Sequence, residues 1–476
     1  MSAESPMMRR MRNRRFSSSG NFFKKGMIRL IIIITLIFIG VNVFGALFKS
    51  DGQGKVAVQK VEKKGEKKKH VKVPKNNFSP YRLSYSDVSE MVQKTDHRFE
   101  GAVDSVSKSG KTYLVHYSLD SSLQKLGTRL MKMYHPKYGA IVAVEPSTGR
   151  VLSLISYEND SVPKMGDELY CRSLFPAASV FKTITSAAAI EKANYSSQSI
   201  VRHVGKKSTL YKYQLVKDLT SFTELPFEEA FANSINPVFA RIGMFVVGES
   251  GLEDYGSKFG FNIQVPFELP NESSRLIATD SSFSLAELAS GFNQHTTMSP
   301  LFGALIASSI CENGKMPRPF MVDSVSMNSD SCVYRAENEL WRTPIKEGTA
   351  RELRTMMQSV ARYGTARKSF RLINQTNKLE SIEYGGKTGS VDKDSAGRVD
   401  WFIGFARNPL KPQERIAIGV VTVHGAFWTV HSSYIAAEYF RTYIGSLRKT
   451  EQLNADKQKT IVKKDTGESP QPLKKS

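Results

Sequence analysis

The chain has 476 residues, of which 40% are hydrophobic, and its formal net charge is +22. This length and apolar content are sufficient for one large domain or two modest ones. Most of the basic excess lies at the ends: residues 1–76 contain 18 Lys/Arg and 4 Asp/Glu, residues 446–476 contain 8 and 4, and the residues between them carry a net charge of +4. Because the central part lacks a concentrated positive charge, we do not expect a nucleic-acid partner.

An uncharged apolar run of 19 residues, Leu30–Phe48, follows a basic N-terminal segment. It is about long enough to cross a bilayer. A cleaved signal peptide is the alternative, but the preceding segment is long and no A-x-A site follows. We predict a cytoplasmic basic segment at 1–29, an uncleaved transmembrane anchor at 30–48 and a solvated Lys-rich linker at 49–76. The linker is as basic as the N-terminal segment, so the distribution of charge is only weak evidence for the orientation of the anchor in the membrane.

The segment 77–135 is predicted to be a short membrane-proximal region. It is polar and irregular as far as residue 112, apart from a short helix at Asp87–Gln93. The alternation in KTYLVHYSLD predicts a strand over Lys111–Asp120, and helical spacing follows over Ser121–Tyr134. A hairpin comes next, in which IVAVEP and VLSLIS are joined by a turn at residues 147–149.

The stretch FPAASVFKTITSAAAIEK contains the first candidate for chemistry, Ser179 and Lys182. The two residues are three apart at the start of an Ala-rich helical pattern, so one turn brings both side chains to the same face. A serine hydroxyl needs a base to become a nucleophile, and a lysine is such a base only when its pKa is lowered. The spacing alone is weak evidence, because it recurs at Ser122/Lys125, Ser161/Lys164 and Ser446/Lys449.

A mostly helical middle follows, with helices predicted at Ser284–Gly291, Pro300–Cys311 and Glu347–Tyr363. In the pattern over Leu225–Val247, Pro237 favours a restart of the helix, which leaves Ser234 and Asn236 on a tight connection.

The C-terminal part is rich in strands. EYGGKTGS, VDWFIGFAR and RIAIGVVTVH each have strand patterning, and a closing helix runs from Ser432 to about Leu447. The first of these strands contains Lys387, Thr388 and Gly389. The residues from 447 to 476 are predicted to be a disordered basic tail. The pattern as a whole indicates an α+β fold: an antiparallel β-sheet flanked by helices, with an inserted all-helical subdomain.

Three short motifs occur in order: Ser-x-x-Lys at Ser179, Ser-x-Asn at Ser234 and Lys-Thr-Gly at Lys387. These motifs make residues 113–445 resemble the transpeptidase domain of penicillin-binding proteins. Four further segments support the resemblance: AIVAVEPSTGRVLSLIS, TMSPLFGALIASSICENG, VARYGTARKS and DWFIGFA. The resemblance implies a β-lactamase/transpeptidase-like fold and a catalytic domain at 136–446. The chain resembles class B penicillin-binding proteins, because a glycosyltransferase module does not fit between the predicted anchor and this domain.

The resemblance also implies the roles of the site residues. Ser179 would be the nucleophile and Lys182 its base. Ser234 would relay protons to the leaving group, and Asn236 would bind the substrate amide or hold Lys182. Lys387 and Thr388 would bind the terminal carboxylate, Gly389 would let the substrate backbone approach, and the N–H groups of Ser179 and Ser390 would form the oxyanion hole. Ile235 departs from the Asp found in class A β-lactamases.

The function implied is a peptidoglycan D,D-transpeptidase that cross-links stem peptides ending in D-Ala-D-Ala and is acylated by β-lactams. A D,D-carboxypeptidase would use the same residues. The alternatives are a class D-like serine β-lactamase and a non-catalytic β-lactam receptor or scaffold. The partners expected are peptidoglycan stem peptides or a lipid-linked precursor, the cytoplasmic membrane and a separate glycosyltransferase, with the catalytic domain on the periplasmic or extracellular side.

Cysteines and histidines give no further site. Cys311 and Cys332 could form a disulfide, but buried unpaired thiols are favoured for them and for Cys171. His424 and His431 have no evident Asp partner or ligand spacing, and we predict that they are structural. No metal or cofactor is predicted.

Overall fold

The computed structural model describes residues 82–465, except 96–102, 167, 328–330, 372, 374–380 and 394–396, and side chains as far as residue 456. The predicted segments 1–29, 30–48 and 49–76 lie outside the described residues, as does the end of the tail from residue 466. Within the described ranges, no helix is both long and apolar enough to span a bilayer.

The centre of the fold is a five-stranded antiparallel sheet with the order β13-β14-β15-β3-β4. The predicted hairpin forms its far edge as β3 (Tyr138–Val144) and β4 (Val151–Glu158). The three strands predicted near the C-terminus form the rest, as β13 (Glu383–Lys393), β14 (Gly397–Asn408) and β15 (Lys411–His424). All seven residues of β3 are buried, so the sheet is covered on both faces.

Two helices cover opposite faces of this sheet. On β14, Phe402 packs with Phe370, which in turn contacts Phe440 of the closing helix α10 (Ser432–Asp465). The next residue, Ile403, contacts Gly303 of helix α8 (Pro300–Cys311). Successive side chains of a strand point to opposite faces, so α8 and α10 lie on different sides. Every residue of α8 is buried.

A second antiparallel sheet has the order β1-β2-β10-β11. It combines β1 (Val103–Lys108) and β2 (Lys111–Tyr117) with β10 (Val322–Met327) and β11 (Ser331–Arg335). The sequence predicts β2, and it predicts the preceding helix α1 (Tyr85–Gln93) two residues short. The prediction that residues 77–112 are otherwise irregular is wrong at β1. This is a polar edge strand with one buried side chain, so it has no alternating apolar pattern.

The inserted region between the two parts of the central sheet is mostly helical, but the prediction that it is all-helical is wrong, because it also contains short strand pairs. After helix α2 (Ser121–Tyr134) and the hairpin, it contains the helices α3 (Lys182–Ala193), α4 (Phe227–Ala232), α5 (Asn236–Ile242), α6 (Glu249–Phe259), α7 (Ser282–Ser290) and α8. Helix α9 (Glu347–Arg362) follows α8. Short strand pairs interrupt the helices: β5 (Phe175–Pro176) pairs with β8 (Thr297–Met298), β6 (Ile200–His203) pairs with β7 (Thr223–Pro226), and β9 (Met316–Pro317) pairs with β12 (Leu340–Arg342).

The closing helix α10 is longer than the sequence predicts. It continues past Leu447 to Asp465 and so enters the segment 447–476, which the sequence predicts to be disordered. Ion pairs hold the extension to the β14–β15 hairpin: Arg448 lies 3.0 Å from Glu414, and Lys411 lies 2.7 Å from Glu451. Arg448, one of the basic residues that suggest a solvated tail, therefore has a carboxylate partner in the fold.

All three cysteines are buried and unpaired. The possible disulfide between Cys311 and Cys332 does not form, and the favoured alternative of buried thiols is the observed one. Cys311 is the last residue of α8, whereas Cys332 lies in β11 of the second sheet.

Tyr439 connects α10, α2 and β4 at the fully buried end of the central sheet. Its hydroxyl donates to the Leu123 carbonyl at 3.0 Å and lies 3.1 Å from Ser153 Oγ. A Cβ on Gly127 would occupy the position of this hydroxyl, so the glycine makes room for it.

We predict that Tyr439→Phe lowers the free energy of unfolding by about 1 kcal/mol, because two buried polar groups lose a hydrogen-bond partner. Denaturant unfolding of the purified chain measures the effect. Tyr434→Phe, on the same helix but only half-buried, is the matched control and should cost less. Equal costs for the two variants would contradict this assignment.

Candidate active site

Ser179 lies in a short 3₁₀ turn, Ala178–Phe181, that leads directly into α3. Two close contacts define this turn. On one side is β13, where a Cβ on Gly389 would lie 3.2 Å from Ser179 N. On the other side is Gly291, at the end of α7, where a Cβ would overlap the Ala178 carbonyl. The nucleophile predicted from the sequence is therefore held between a strand and a helix end.

Lys182 is one turn after Ser179, and its Nζ lies 2.6 Å from Ser179 Oγ. The same Nζ donates to Asn236 Oδ1 at 2.8 Å and to the Ser290 carbonyl at 2.6 Å. Lys182 is completely buried. Burial, with a smaller contribution from the charge of Lys387, lowers the pKa of Lys182 well below its usual value. A lysine at this distance and with a lowered pKa is chemically able to accept the proton of the serine hydroxyl.

The predicted tight connection carries Ser234 and Asn236. Helix α4 ends at Ala232, Ser234 has a positive φ of 55°, and α5 restarts at Asn236 with Pro237 in its first turn. Asn236 is fixed by main-chain partners: its N–H donates to the Lys207 carbonyl at 2.8 Å, and its Nδ2 donates to the Ser208 carbonyl at 3.0 Å. Because Nδ2 is used in this way, Oδ1 is the atom that faces Lys182.

Lys387 extends from β13 towards the same connection. Its Nζ donates to Ser234 Oγ at 3.0 Å and to the Thr388 carbonyl at 2.8 Å. The side chain is completely buried, and this burial lowers the pKa of Lys387 to about 7. The centroid of the Phe231 ring lies 5.4 Å from Lys387 Nζ. In the same way, the centroid of the Phe239 ring lies 5.6 Å from Lys182 Nζ.

The structure therefore brings all three predicted motifs together. Ser179, Lys182 and Asn236 form one chain of polar contacts, and Lys387 and Ser234 form a second beside it. Among the described residues, no carboxylate hydrogen-bonds to Ser179 or to either lysine. Two buried amines without an anionic partner must favour their neutral forms more strongly than exposed lysines do.

The sequence-family model of the penicillin-binding protein transpeptidase domain matches residues 139–444 of this chain. The chain belongs to this family. The peptidoglycan D,D-transpeptidase PbpA of Mycobacterium tuberculosis is 22% identical over 348 residues, which cover 66% of this chain and 67% of the relative.

Solved structures agree with this assignment at the level of the fold. The D,D-transpeptidase domain of a peptidoglycan glycosyltransferase from Eggerthella lenta matches with a TM-score of 0.57 and 21% identity, over 69% of this chain and 82% of that one. A penicillin G acyl-enzyme complex of penicillin-binding protein A from M. tuberculosis matches with a TM-score of 0.54 and 21% identity, over 70% and 80%. The predicted α+β arrangement with antiparallel sheets is confirmed.

The remaining predicted residues of this transpeptidase domain lie along β13. Thr388 Oγ1 is 2.5 Å from Thr365 Oγ1, a residue to which the sequence assigns no role although VARYGTARKS contains it. Thr365 is held there because its N–H donates to the Ala232 carbonyl. Ser390 lies opposite Asp400 on β14 and donates its hydroxyl to Asp400 Oδ1 at 3.2 Å.

The sequence does not indicate two further contacts in the transpeptidase site. One is the Ser290 carbonyl, which accepts from Lys182, and the other is the Asp400 carboxylate, which lies 3.7 Å from His431 Nδ1. His431 thus has the Asp partner that the sequence does not reveal. Among the residues described, no group of three His, Cys, Asp or Glu side chains is placed to hold a metal ion.

We predict that Gly291→Ala reduces acylation by benzylpenicillin at least a hundredfold. Gly291 has a positive φ of 65°, and its added Cβ would displace the backbone at Ala178 and Ser179. An ångström-scale misplacement of a nucleophile costs about two orders of magnitude in rate. Gly348→Ala, on α9 with open space around it, is the control. Similar acylation rates in the two variants would refute the role of this contact.

Proposed function

We propose that this protein is a peptidoglycan D,D-transpeptidase that works through a serine acyl-enzyme and is acylated by β-lactams. One observation carries the proposal: the hydroxyl of Ser179 lies 2.6 Å from a fully buried Lys182 whose pKa is lowered. This pair generates a serine nucleophile at neutral pH without a histidine or a carboxylate.

In the first half-reaction, Ser179 Oγ attacks the carbonyl between the two D-Ala residues while Lys182 accepts the hydroxyl proton. The backbone N–H groups of Ser179 and Ser390 stabilise the negative charge on the carbonyl oxygen. The C–N bond then breaks, and the proton passes through Lys182 and Ser234 to the departing amine. The products are an ester on Ser179 and free D-alanine.

Lys387, Thr388 and Thr365 bind the terminal carboxylate of the donor. The ammonium group and two hydroxyls suit an anion, and the two hydroxyl oxygens are 2.5 Å apart. A bound carboxylate stabilises the charged form of Lys387 and raises its pKa. Substrate binding therefore keeps Lys387 charged, and this charge in turn disfavours the ammonium form of Lys182.

In the second half-reaction, the amine of another stem peptide attacks the ester and Ser179 leaves with a proton. Water in place of the amine gives D,D-carboxypeptidase activity. A β-lactam acylates Ser179 in the same way, but its leaving amine stays attached to the acyl group and obstructs the approach of an acceptor. The adduct is therefore long-lived.

The arrangement favours this function over a class D-like β-lactamase. Such an enzyme needs a carbamylated lysine, whose added oxygens require hydrogen-bond donors. The groups that face Lys182 Nζ besides Ser179 are Asn236 Oδ1 and the Ser290 carbonyl, which are both acceptors. A pure scaffold would gain nothing from two buried lysines that cost stability.

The cellular setting is part of the proposal. The anchor at 30–48 holds the catalytic domain at the cytoplasmic membrane, on the periplasmic or extracellular side, and the N-terminus lies in the cytoplasm. There the enzyme acts on stem peptides of peptidoglycan or its lipid-linked precursor. A separate glycosyltransferase supplies the glycan strands.

We predict that benzylpenicillin forms a lasting adduct on Ser179, seen by intact-protein and peptide mass spectrometry over several hours. Ser179→Ala should abolish the adduct, whereas Ser122→Ala, in another Ser-x-x-Lys pair on α2, should retain it. Rapid hydrolysis of the drug with no lasting adduct would instead indicate a β-lactamase. Absence of both would exclude a penicillin-reactive site.

We predict a bell-shaped pH dependence for the second-order rate constant of acylation. The competent form has a neutral Lys182 and a charged Lys387, so the rate rises with pH as Lys182 loses its proton. It falls above about pH 7 as Lys387 loses its own.

The methyl ester of benzylpenicillin provides the control for this profile. It lacks the carboxylate that Lys387 binds, so its acylation should be slower overall and should show no decline above pH 7. An equal decline for the acid and the ester would show that Lys387 does not act through the carboxylate.

A further inference from the structure

The segment between β6 and β7 is basic and aromatic in a body that has little net charge. Residues 204–217 contain four lysines and two tyrosines and no Asp or Glu. We call five of these residues, which are all exposed, the lysine–tyrosine surface: Lys206, Lys207, Tyr211, Lys212 and Tyr213.

One buried side chain gives this segment a defined shape. Gln214 is fully buried, and its Nε2 donates to the carbonyls of Val204 at 2.8 Å and Lys206 at 3.2 Å. Its Oε1 accepts from Tyr211 N at 2.8 Å and from Thr209 Oγ1 at 3.1 Å. The turn is thus closed from inside, and the lysine and tyrosine side chains are left on the outside.

The displayed groups are available to a ligand. The rings of Tyr211 and Tyr213 are stacked with centroids 5.9 Å apart, and each residue is 54% exposed. Within the described part of the chain, no carboxylate forms an ion pair with Lys206, Lys207 or Lys212. Unpaired ammonium groups beside an aromatic pair suit a ligand that combines carboxylates with sugar rings.

The surface adjoins the catalytic residues directly. The carbonyls of Lys207 and Ser208 hold Asn236, which contacts Lys182 and lies two residues from Ser234. In the proposed mechanism Ser234 passes the proton to the leaving amine, so this amine departs on the side of these residues. By microscopic reversibility the attacking amine enters where the leaving amine left. The acceptor therefore has to approach the ester from the side where this surface lies.

We propose that the lysine–tyrosine surface binds the acceptor strand of peptidoglycan. The lysines would contact the carboxylates of the acceptor stem peptide, and the tyrosine pair would contact its sugar rings. This inference rests on the proposed transpeptidase function and adds to it a separate acceptor subsite. The donor is bound by residues of β13, so the donor and the acceptor are bound by different parts of the protein.

The test uses the full-length chain in detergent and compares the wild type with the double variant Lys206→Glu/Lys212→Glu. Neither side chain contacts the catalytic residues, so acylation by benzylpenicillin and hydrolysis of a D-Ala-D-Ala pentapeptide should be unchanged. With a disaccharide-tetrapeptide as acceptor, the KM for the acceptor should rise about tenfold, as expected for reversal of charges at a binding surface. With hydroxylamine, a small uncharged acceptor, the rate should be unchanged.

Two further variants serve as controls. Lys206→Arg/Lys212→Arg keeps the charges and should retain the KM of the wild type. Lys125→Glu/Lys132→Glu makes the same change of charge on α2, beside β4 at the opposite edge of the central sheet, and should also have no effect.

An unchanged acceptor KM in the Lys206/Lys212 charge-reversal variant would overturn the acceptor subsite while leaving the transpeptidase function intact. A parallel loss of acylation would also overturn it, because the segment would then act only by positioning Asn236. Loss of binding to anionic lipid vesicles with normal cross-linking would overturn it in favour of a membrane contact. Failure of the wild type to form an acyl-enzyme would instead refute the proposed function.

Discussion

The burial of two lysines without a carboxylate partner is the constraint on which the active site depends. A salt bridge would remove most of the cost of burying Lys182 and Lys387, but it would also hold both amines in the charged form. Neutral acceptors surround them instead: Asn236 Oδ1 and the Ser290 carbonyl for the first, Ser234 Oγ and the Thr388 carbonyl for the second. Burial of the two lysines therefore lowers the stability of the fold, but it leaves a neutral amine beside the serine that can act as a base.

This use of neutral acceptors requires that the backbone around the site be held in a fixed position. Main-chain carbonyls cannot be repositioned by a rotamer change, so the segments that carry them must be fixed by the fold itself. Gly291 and Gly389 allow α7 and β13 to contact the turn at Ser179 more closely than residues with a Cβ could. Trp401 adds a third constraint, because its buried Nε1 donates to the Pro176 carbonyl at 2.8 Å just before that turn. The catalytic geometry is thus a property of packed main chain as much as of side chains.

The sequence predicts much of this arrangement where side-chain identity carries the signal. The hairpin at 138–158, the strands after residue 383 and the catalytic motifs all follow from periodicity or from residue types at fixed spacing. Other features leave no such trace. The Ser290 carbonyl acts through the main chain, β1 is a polar edge strand, and the end of α10 depends on distant partners such as Glu414. The pairing of Thr365 with Thr388 likewise depends on how α9 meets β13.

The state of the cysteines has a practical consequence for work on this protein. Cys171, Cys311 and Cys332 are all buried, and burial raises the pKa of both Cys171 and Cys311. Thiol reagents attack the thiolate and need access to it, so the native cysteines are poor targets in the folded state. A single cysteine introduced at an exposed position outside both substrate sites, such as 133 on α2, would therefore be the preferred site for a fluorophore or photo-crosslinker in the otherwise unmodified chain.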